Sequence, residues 1–274
     1  MAARKRGGGT AGAGGIVALV LVLLSYTGNL GVVLDAVADA TGGAGRHTSG
    51  SYRPARQVPD GASVTGTSGA PVPIPDAVTA PTAAQARAAL AALPVTGRPP
   101  ADDPTYRRAD YGGAWTDVDG NGCDQRADVL YLWIARDRPS TVRRSGRCAH
   151  EVYAGTWRDP YTGRTITLGD AKDRHQSTLV QIDHLVPLSE AHKSGASGWD
   201  ARQRLTLAND LTNLTPVYGP TNTSKSDSDP AAWRPRKQYQ CDYARRYVAV
   251  KAKYRLSVDG SEKAALLDML DRCP

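Results

Sequence analysis

Apolar and polar positions divide the chain into stretches of different texture. Ile16 to Leu24 is a run of nine apolar residues, preceded by Arg4, Lys5 and Arg6 and followed by no charge until Asp35. A basic start ahead of a short apolar run has the form of a secretory signal, and Ala36-Val37-Ala38 offers small residues for cleavage. Gly14 to Leu34 is uncharged and close to the roughly 20 residues that span a bilayer, so a retained anchor is the alternative. Gly28, Asn29 and Gly31 weaken its second half. In either case the basic end stays cytoplasmic and everything after it is exported. Residues 1–40 are therefore expected to be a signal peptide or signal anchor, with the protein secreted or held on the outer face of the cytoplasmic membrane.

Gly42 to Pro81 is rich in Gly, Ser, Thr, Pro and Ala, with few large apolar residues. Such a stretch cannot bury enough surface to offset chain entropy, which predicts a disordered tether over 41–81. Thr82 to Leu93 predicts a helix with Leu90 and Leu93 on one face, stopped by Gly97-Arg98-Pro99-Pro100. It reads as a helix and connector over 82–105.

From Tyr106 the pattern is that of a folded domain, 106–274, holding all five Trp. Asp124 to Ala135 predicts a helix with Val129, Leu130, Trp133 and Ile134 inward. Glu151 to Thr167 alternates and breaks at Asp159-Pro160-Tyr161-Thr162-Gly163, which predicts a hairpin. Leu179 to Ile182 is a short strand running into Asp183-His184. Ser189–Ser194, Trp199–Ala208 and Tyr239–Tyr254 read as helices. Ser261 is placed to cap a last helix, Glu262–Leu270, after the Asp259-Gly260 turn. The fold class is α+β with small sheets.

Charge and cysteines refine this. The net charge of +7 favours a polyanionic partner such as nucleic acid, although basic exported proteins also sit near anionic envelopes. The four cysteines include no C-x-x-C pair and permit three pairings. Cys123–Cys148 and Cys241–Cys273 are favoured because each links neighbours and clamps one end of the domain. Each bridge would contribute about 2–4 kcal/mol by restricting the unfolded chain. A monomer is expected.

The candidate chemistry lies between Gln181 and Pro235. Phosphodiester hydrolysis needs a base to activate water, a cation to offset phosphate charge, and groups that orient both. Asp183 supplies a hard oxygen ligand suited to Mg²⁺. The imidazole of His184 titrates near neutral pH, which suits a general base. Neighbouring strand residues face opposite ways, so a shared site requires the strand to break there, and Pro187 is consistent with a break. Asn222 and Lys225 are three apart, so on a short helix a carbonyl ligand and a cation share a face. His192 lies in a different element from His184 and reads as a surface residue.

The pattern D-H-x-V-P-L (Asp183–Leu188), A-N-D-x-x-N-L (Ala208–Leu214) and N-x-S-K-x-D (Asn222–Asp227) resembles the HNH endonuclease family of the GmrSD C-terminal type. Its flanks resemble exported, actinobacterial-style members: Asp110–Leu130 and Trp157–Gly163 look like their upstream blocks. The D-H…N…N-x-x-K core also resembles the HNH domain of CRISPR effector nucleases. The resemblance implies an HNH ββα-metal nuclease core with additional helices, a small hairpin and disulfides. It implies that Asp183 and Asn222 bind one divalent cation, Mg²⁺ or Mn²⁺, and that His184 is general base. Asn213 would hold the Ω-loop or the imidazole, and Lys225 would sit near the phosphate.

A second candidate site is Asp117-Val118-Asp119-Gly120-Asn121-Gly122, which fits the first half of a calcium loop, with Asp128 at the twelfth position. The last ligand of such a loop should be Glu, and D-G-N-G is itself a strong turn signal, so a tight turn opening the next helix is the alternative. The expected activity is an exported, metal-dependent endonuclease acting on DNA, or also RNA, with little sequence specificity, since no base-reading module is visible. Two rivals are a non-catalytic basic module that grips envelope polymer and a phosphodiesterase for a non-nucleic polymer.

Overall fold

The computed structural model describes residues 58–274, except positions 68, 70, 71, 77, 79, 98–102, 104 and 114. The signal segment and the start of the tether lie outside the described residues. The first elements in chain order are β1 (Ala62–Thr67), α1 (Ala83–Ala92), β2 (Val95–Thr96), α2 (Gln125–Trp133), β3 (Thr141–Ser145), β4 (Cys148–Arg158) and β5 (Arg164–Leu168). There follow α3 (Arg174–Ser177), β6 (Val180–His184), α4 (Leu188–Lys193), α5 (Ala201–Ala208), β7 (Leu214–Tyr218) and α6 (Gly219–Lys225). The chain ends with α7 (Lys237–Lys253), β8 (Val258–Asp259) and α8 (Gly260–Leu270).

Apolar side chains gather in two main clusters. One forms on an antiparallel sheet of order β1-β5-β4-β3, where Val152, Trp157, Ile166 and Leu168 meet Val129, Leu130 and Trp133 of α2. Trp157 ties the layers together by donating from Nε1 to the Leu130 carbonyl at 2.9 Å. The other cluster is helical: Leu90 of α1, Leu188 and Ala191 of α4, Leu207 of α5, Tyr239, Tyr243 and Tyr247 of α7, and Leu266 and Met269 of α8. Between the clusters runs the antiparallel pair β6–β7, in register from Val180↔Tyr218 to His184↔Leu214. The two-residue period of a strand divides β6 between them. Val180 and Ile182 enter the sheet cluster, and Leu185, just past the strand, enters the helical one. Asp183 thereby faces the tyrosines of the helical cluster.

The α+β class holds, as do the helices at 125–133, 188–193, 201–208, 237–253 and 260–270 and the β4–β5 hairpin. Its turn is set by Asp159, whose carboxylate accepts from the N–H groups of Tyr161 (3.0 Å) and Thr162 (3.2 Å), and by Gly163 at φ 76°. Both expected disulfides are present, Cys123–Cys148 and Cys241–Cys273, with Cα separations of 4.3 and 4.9 Å.

Four expectations are corrected. Ala62–Thr67, placed in the tether, is β1 and pairs with β5, and Val72 and Val78 beyond it are buried. An edge strand needs little apolar content of its own, because the neighbouring strand supplies both ladder and cover. The start of the folded domain at Tyr106 is too late: the helix expected over Thr82–Leu93 forms, with Thr82 and Gln85 as its capping box, and its Leu90 and Leu93 are buried in the helical cluster. The folded unit therefore starts well before Tyr106. The cap of α8 is Asp259, whose carboxylate accepts from the N–H groups of Ser261 and Glu262, while the Ser261 hydroxyl donates to it. Finally, β6 does not break at Asp183: pairing continues through His184, and the Leu185 N–H still donates to the Asn213 carbonyl. No helix among the described residues is long and apolar enough to cross a membrane.

Candidate active site at the end of β6

A pocket of about 230 Å³ opens where β6 ends, lined by Asp183, His184, Pro187 and Asn222 together with Tyr106, Arg108 and Asp227. Asp183 sits at its inner wall, 6% exposed. Its Oδ1 accepts from Lys225 Nζ at 3.1 Å and its Oδ2 from the Tyr161 hydroxyl at 2.5 Å. Burial pushes the carboxyl above its usual pKa, against the Lys225 charge and the Tyr161 hydrogen bond. Tyr161 is itself pushed well above 10, chiefly by burial, so it stays a donor.

His184 is oriented by its neighbours. Its Nε2 lies 2.8 Å from the carbonyl oxygen of Ala208, which only accepts, so Nε2 carries the proton and Nδ1 is the basic nitrogen. Trp115 stacks on the ring at 5.8 Å between centroids, 16° from parallel. Burial lowers the imidazole pKa to about 4, the Ala208 hydrogen bond opposing and the charges of Arg108 and Lys225 adding to the fall. The ring is therefore neutral at physiological pH and able to take a proton.

The remaining site residues arrive from β7 and α6. Asn213 is fully buried and does not reach the imidazole: its Oδ1 accepts from Val186 N at 2.9 Å and its Nδ2 donates to Val186 O at 3.2 Å. It holds the chain that leaves β6. Gly219 lets α6 start against β6, since a Cβ there would lie 2.1 Å from the Thr178 carbonyl oxygen. Asn222 donates from Nδ2 to Gln181 Oε1 at 3.0 Å, which leaves its own Oδ1 as the atom for a ligand. Lys225 departs from expectation. It is wholly buried and points inward, bonded to Asp183 and to the His184 carbonyl at 2.9 Å. After Lys225 the chain turns at Ser226, whose φ of 49° is rare for a residue with a Cβ, and Asp227 comes back to the pocket rim.

The donor set fits a hard divalent cation. The Asp183 carboxylate accepts from Lys225, from Tyr161 and from the His184 backbone N–H, three of its roughly four lone-pair sites, so one remains for a cation, and Asn222 and Asp227 line the same pocket.

Sequence reasoning missed Tyr106, Arg108, Trp115, Tyr161 and Asp227. Asp227 and Tyr161 fell inside motifs already singled out, and their spacing was the available signal. His192, expected at the surface, is buried: Nδ1 lies 3.0 Å from the Tyr111 hydroxyl and Nε2 3.0 Å from Thr105 Oγ1. The Asp117–Asp128 loop is closed on itself. Asp117 accepts from the N–H groups of Gly120 and Gly122, and Asn121 turns its amide nitrogen to Asp119 and Asp128 while its oxygen accepts from Cys123 N. Asp128 also pairs with His150 at 2.6 Å. These residues make a turn that opens α2 rather than a convergent shell of oxygens.

Comparison with known proteins identifies the family. The chain is 39% identical over 206 residues to a protein of Arthroderma benhamiae described as an uncharacterized secreted protein, a match covering 74% of this chain and 92% of that one. The family model for GmrSD restriction endonucleases, C-terminal domain, matches residues 132–269, which take in β6, β7, α6 and every residue of the predicted Asp183–Lys225 site. The chain belongs to this restriction-endonuclease family.

Proposed function

We propose that the protein is an exported HNH-type endonuclease that hydrolyses phosphodiester bonds in DNA, with β6, β7 and α6 as its ββα unit. The observation that carries this reading is the His184 imidazole, neutral and fixed by the Ala208 carbonyl so that Nδ1 is the available base beside Asp183 and Asn222. His184 Nδ1 takes a proton from water as the water oxygen attacks phosphorus. The bond to the 3′ oxygen breaks and that oxygen takes a proton from solvent water, leaving a 5′ phosphate and a 3′ hydroxyl. Lys225 and Tyr161 hold the Asp183 carboxylate in place, and Asn213 holds the backbone of Val186 behind it. A divalent cation, Mg²⁺ or Mn²⁺, held by Asp183 and Asn222 would offset negative charge on the phosphate and the leaving oxygen. Export is supported by two disulfides and by the secreted description of the relative from Arthroderma benhamiae.

His184→Ala tests the reading. It should reduce Mg²⁺-dependent cleavage of supercoiled plasmid by about 10²–10⁴-fold, the usual worth of a general base. The thermal unfolding midpoint should fall by only a few degrees, from loss of the Trp115 stack and the Ala208 hydrogen bond, leaving the protein folded at the assay temperature. Cleavage above about a tenth of the wild-type rate would remove His184 from the role of base.

A further inference from the structure

Three side chains around His184 come from a segment that precedes residues 132–269, the stretch matched by the family. Tyr106 and Arg108 line the pocket mouth, and Trp115 stacks on the imidazole. The segment is fastened as a strap across the site. Buried His192 bonds to Thr105 Oγ1 and to the Tyr111 hydroxyl, both at 3.0 Å, and the Tyr106 ring meets its edge at 5.6 Å. Asp110 lies 3.8 Å from Arg204 of α5, and Thr116 N donates to Asn209 Oδ1 at 3.2 Å. Anchors on either side of Arg108 thus fix its backbone while its side chain stays exposed.

Arg108 has five N–H donors. Among the described residues one of them, on Nη1, meets the Gly112 carbonyl at 2.7 Å, and no carboxylate comes within ion-pair distance. Lys225, the cation expected at the phosphate, is turned inward onto Asp183. A phosphodiester entering this pocket would need a cation at the mouth, and the guanidinium fork suits two phosphate oxygens.

We propose that Arg108, carried by the Thr105–Thr116 strap, grips the non-bridging oxygens of the scissile phosphate and is a catalytic residue of the nuclease. The strap is then a working part of the site although it lies outside the family-matched stretch. The inference rests on the nuclease reading above.

The test uses the full chain with Arg108→Gln and Arg108→Lys. Arg108→Gln should lower kcat/KM for plasmid cleavage by about 10²–10³-fold, as for loss of one preorganised donor to developing charge. Its melting temperature should match wild type. Binding is read separately on a short DNA duplex, in the His184→Ala background, across a salt series. There Arg108→Gln should flatten the slope of log K against log salt by about 0.9, the share of one phosphate contact. Arg108→Lys should restore the slope and only part of the rate, because an ammonium supplies the charge without the fork. If the wild type cleaves while Arg108→Gln cleaves within about twofold of it and keeps the slope, Arg108 does not touch the phosphate. If the wild type neither binds nor cleaves nucleic acid, the nuclease reading falls and takes this one with it.

Discussion

Lys225 and Lys251 are both wholly buried and both donate to carboxylates, but their surroundings differ. Lys251 of α7 reaches Glu190 of α4 at 2.9 Å and Glu262 of α8 at 3.0 Å, and also bonds Ser194 Oγ and the Ser257 carbonyl. One ammonium joins three helices there, inside the helical cluster. Lys225 reaches a single side-chain carboxylate, Asp183, and one carbonyl, and its partner borders an open pocket. A buried ion pair is weak support for stability, because desolvation cancels much of the attraction. What each lysine supplies is geometry: Lys251 sets how α4, α7 and α8 meet, and Lys225 sets where Asp183 points.

Removing each lysine should separate these roles, and the effects are the largest expected. Lys251→Met leaves two carboxylates buried without their cation and should cost about 3–5 kcal/mol of stability in urea unfolding. Cleavage per folded molecule should stay at the wild-type rate. Lys225→Met frees Asp183 to shift, and a shift near 1 Å at a reacting group costs about 10²-fold in rate. Equal losses of cleavage in the two variants would erase the distinction.

The same comparison has a pH signature. Burial and the charge of Glu190 push the Glu262 carboxyl from an ordinary value near 4.5 up to about 7, against the pull of Lys251. Lys193 lies 4.0 Å from Glu190 at the edge of this cluster. The folded state therefore binds the Glu262 proton more tightly than the unfolded chain does. That contribution to stability is fully present below about 4.5 and is lost as pH rises through about 7. Urea midpoints between pH 5 and pH 7.5 should fall in the wild type and fall less in Glu262→Gln. Parallel curves would show that the proton is bound elsewhere.

How much of this was legible in the sequence depended on whether a residue's partners were near it in the chain. The helices and the β4–β5 hairpin were readable, because periodicity and turn chemistry are local. Both disulfide pairings followed from neighbours in sequence. The residues Asp183, His184 and Asn222 could be read from their motif, and the structure gathers them at one pocket. Ala62–Thr67 was misread because a strand at a sheet edge takes its burial from its partner, so its own composition resembles a linker. Thr141–Ser145, with Arg143 and Arg144 exposed, was missed for the same reason. The inward turn of Lys225, the strap with Arg108 and the burial of His192 depend on contacts between distant segments. Lys225 and Asp183 are 42 residues apart, and Tyr111 and His192 are 81 apart. Nothing in local spacing encodes them.

The smallest expected effect distinguishes the two hands that hold Asp183. Tyr161 stands in the hairpin turn with its ring against Trp233, Tyr239 and Tyr243, and only its hydroxyl reaches Asp183. Tyr161→Phe keeps that packing and deletes one donor. A hydrogen bond to a charged group contributes about 1.5–3 kcal/mol, and part of the loss is offset because no buried hydroxyl remains to be satisfied. The melting temperature should therefore drop slightly. With the Tyr161 bond gone, Lys225 is the only side chain still holding the carboxylate, beside the His184 N–H, and cleavage should fall about tenfold, less than for Lys225→Met, which removes the charge as well. The Mg²⁺ concentration for half-maximal cleavage should move too, because the loosened carboxylate is the one that Asp183 would offer to the cation. If Tyr161→Phe cleaves at the full rate with an unchanged Mg²⁺ dependence, Lys225 alone aims the carboxylate. The tyrosine is then part of the aromatic packing and nothing more.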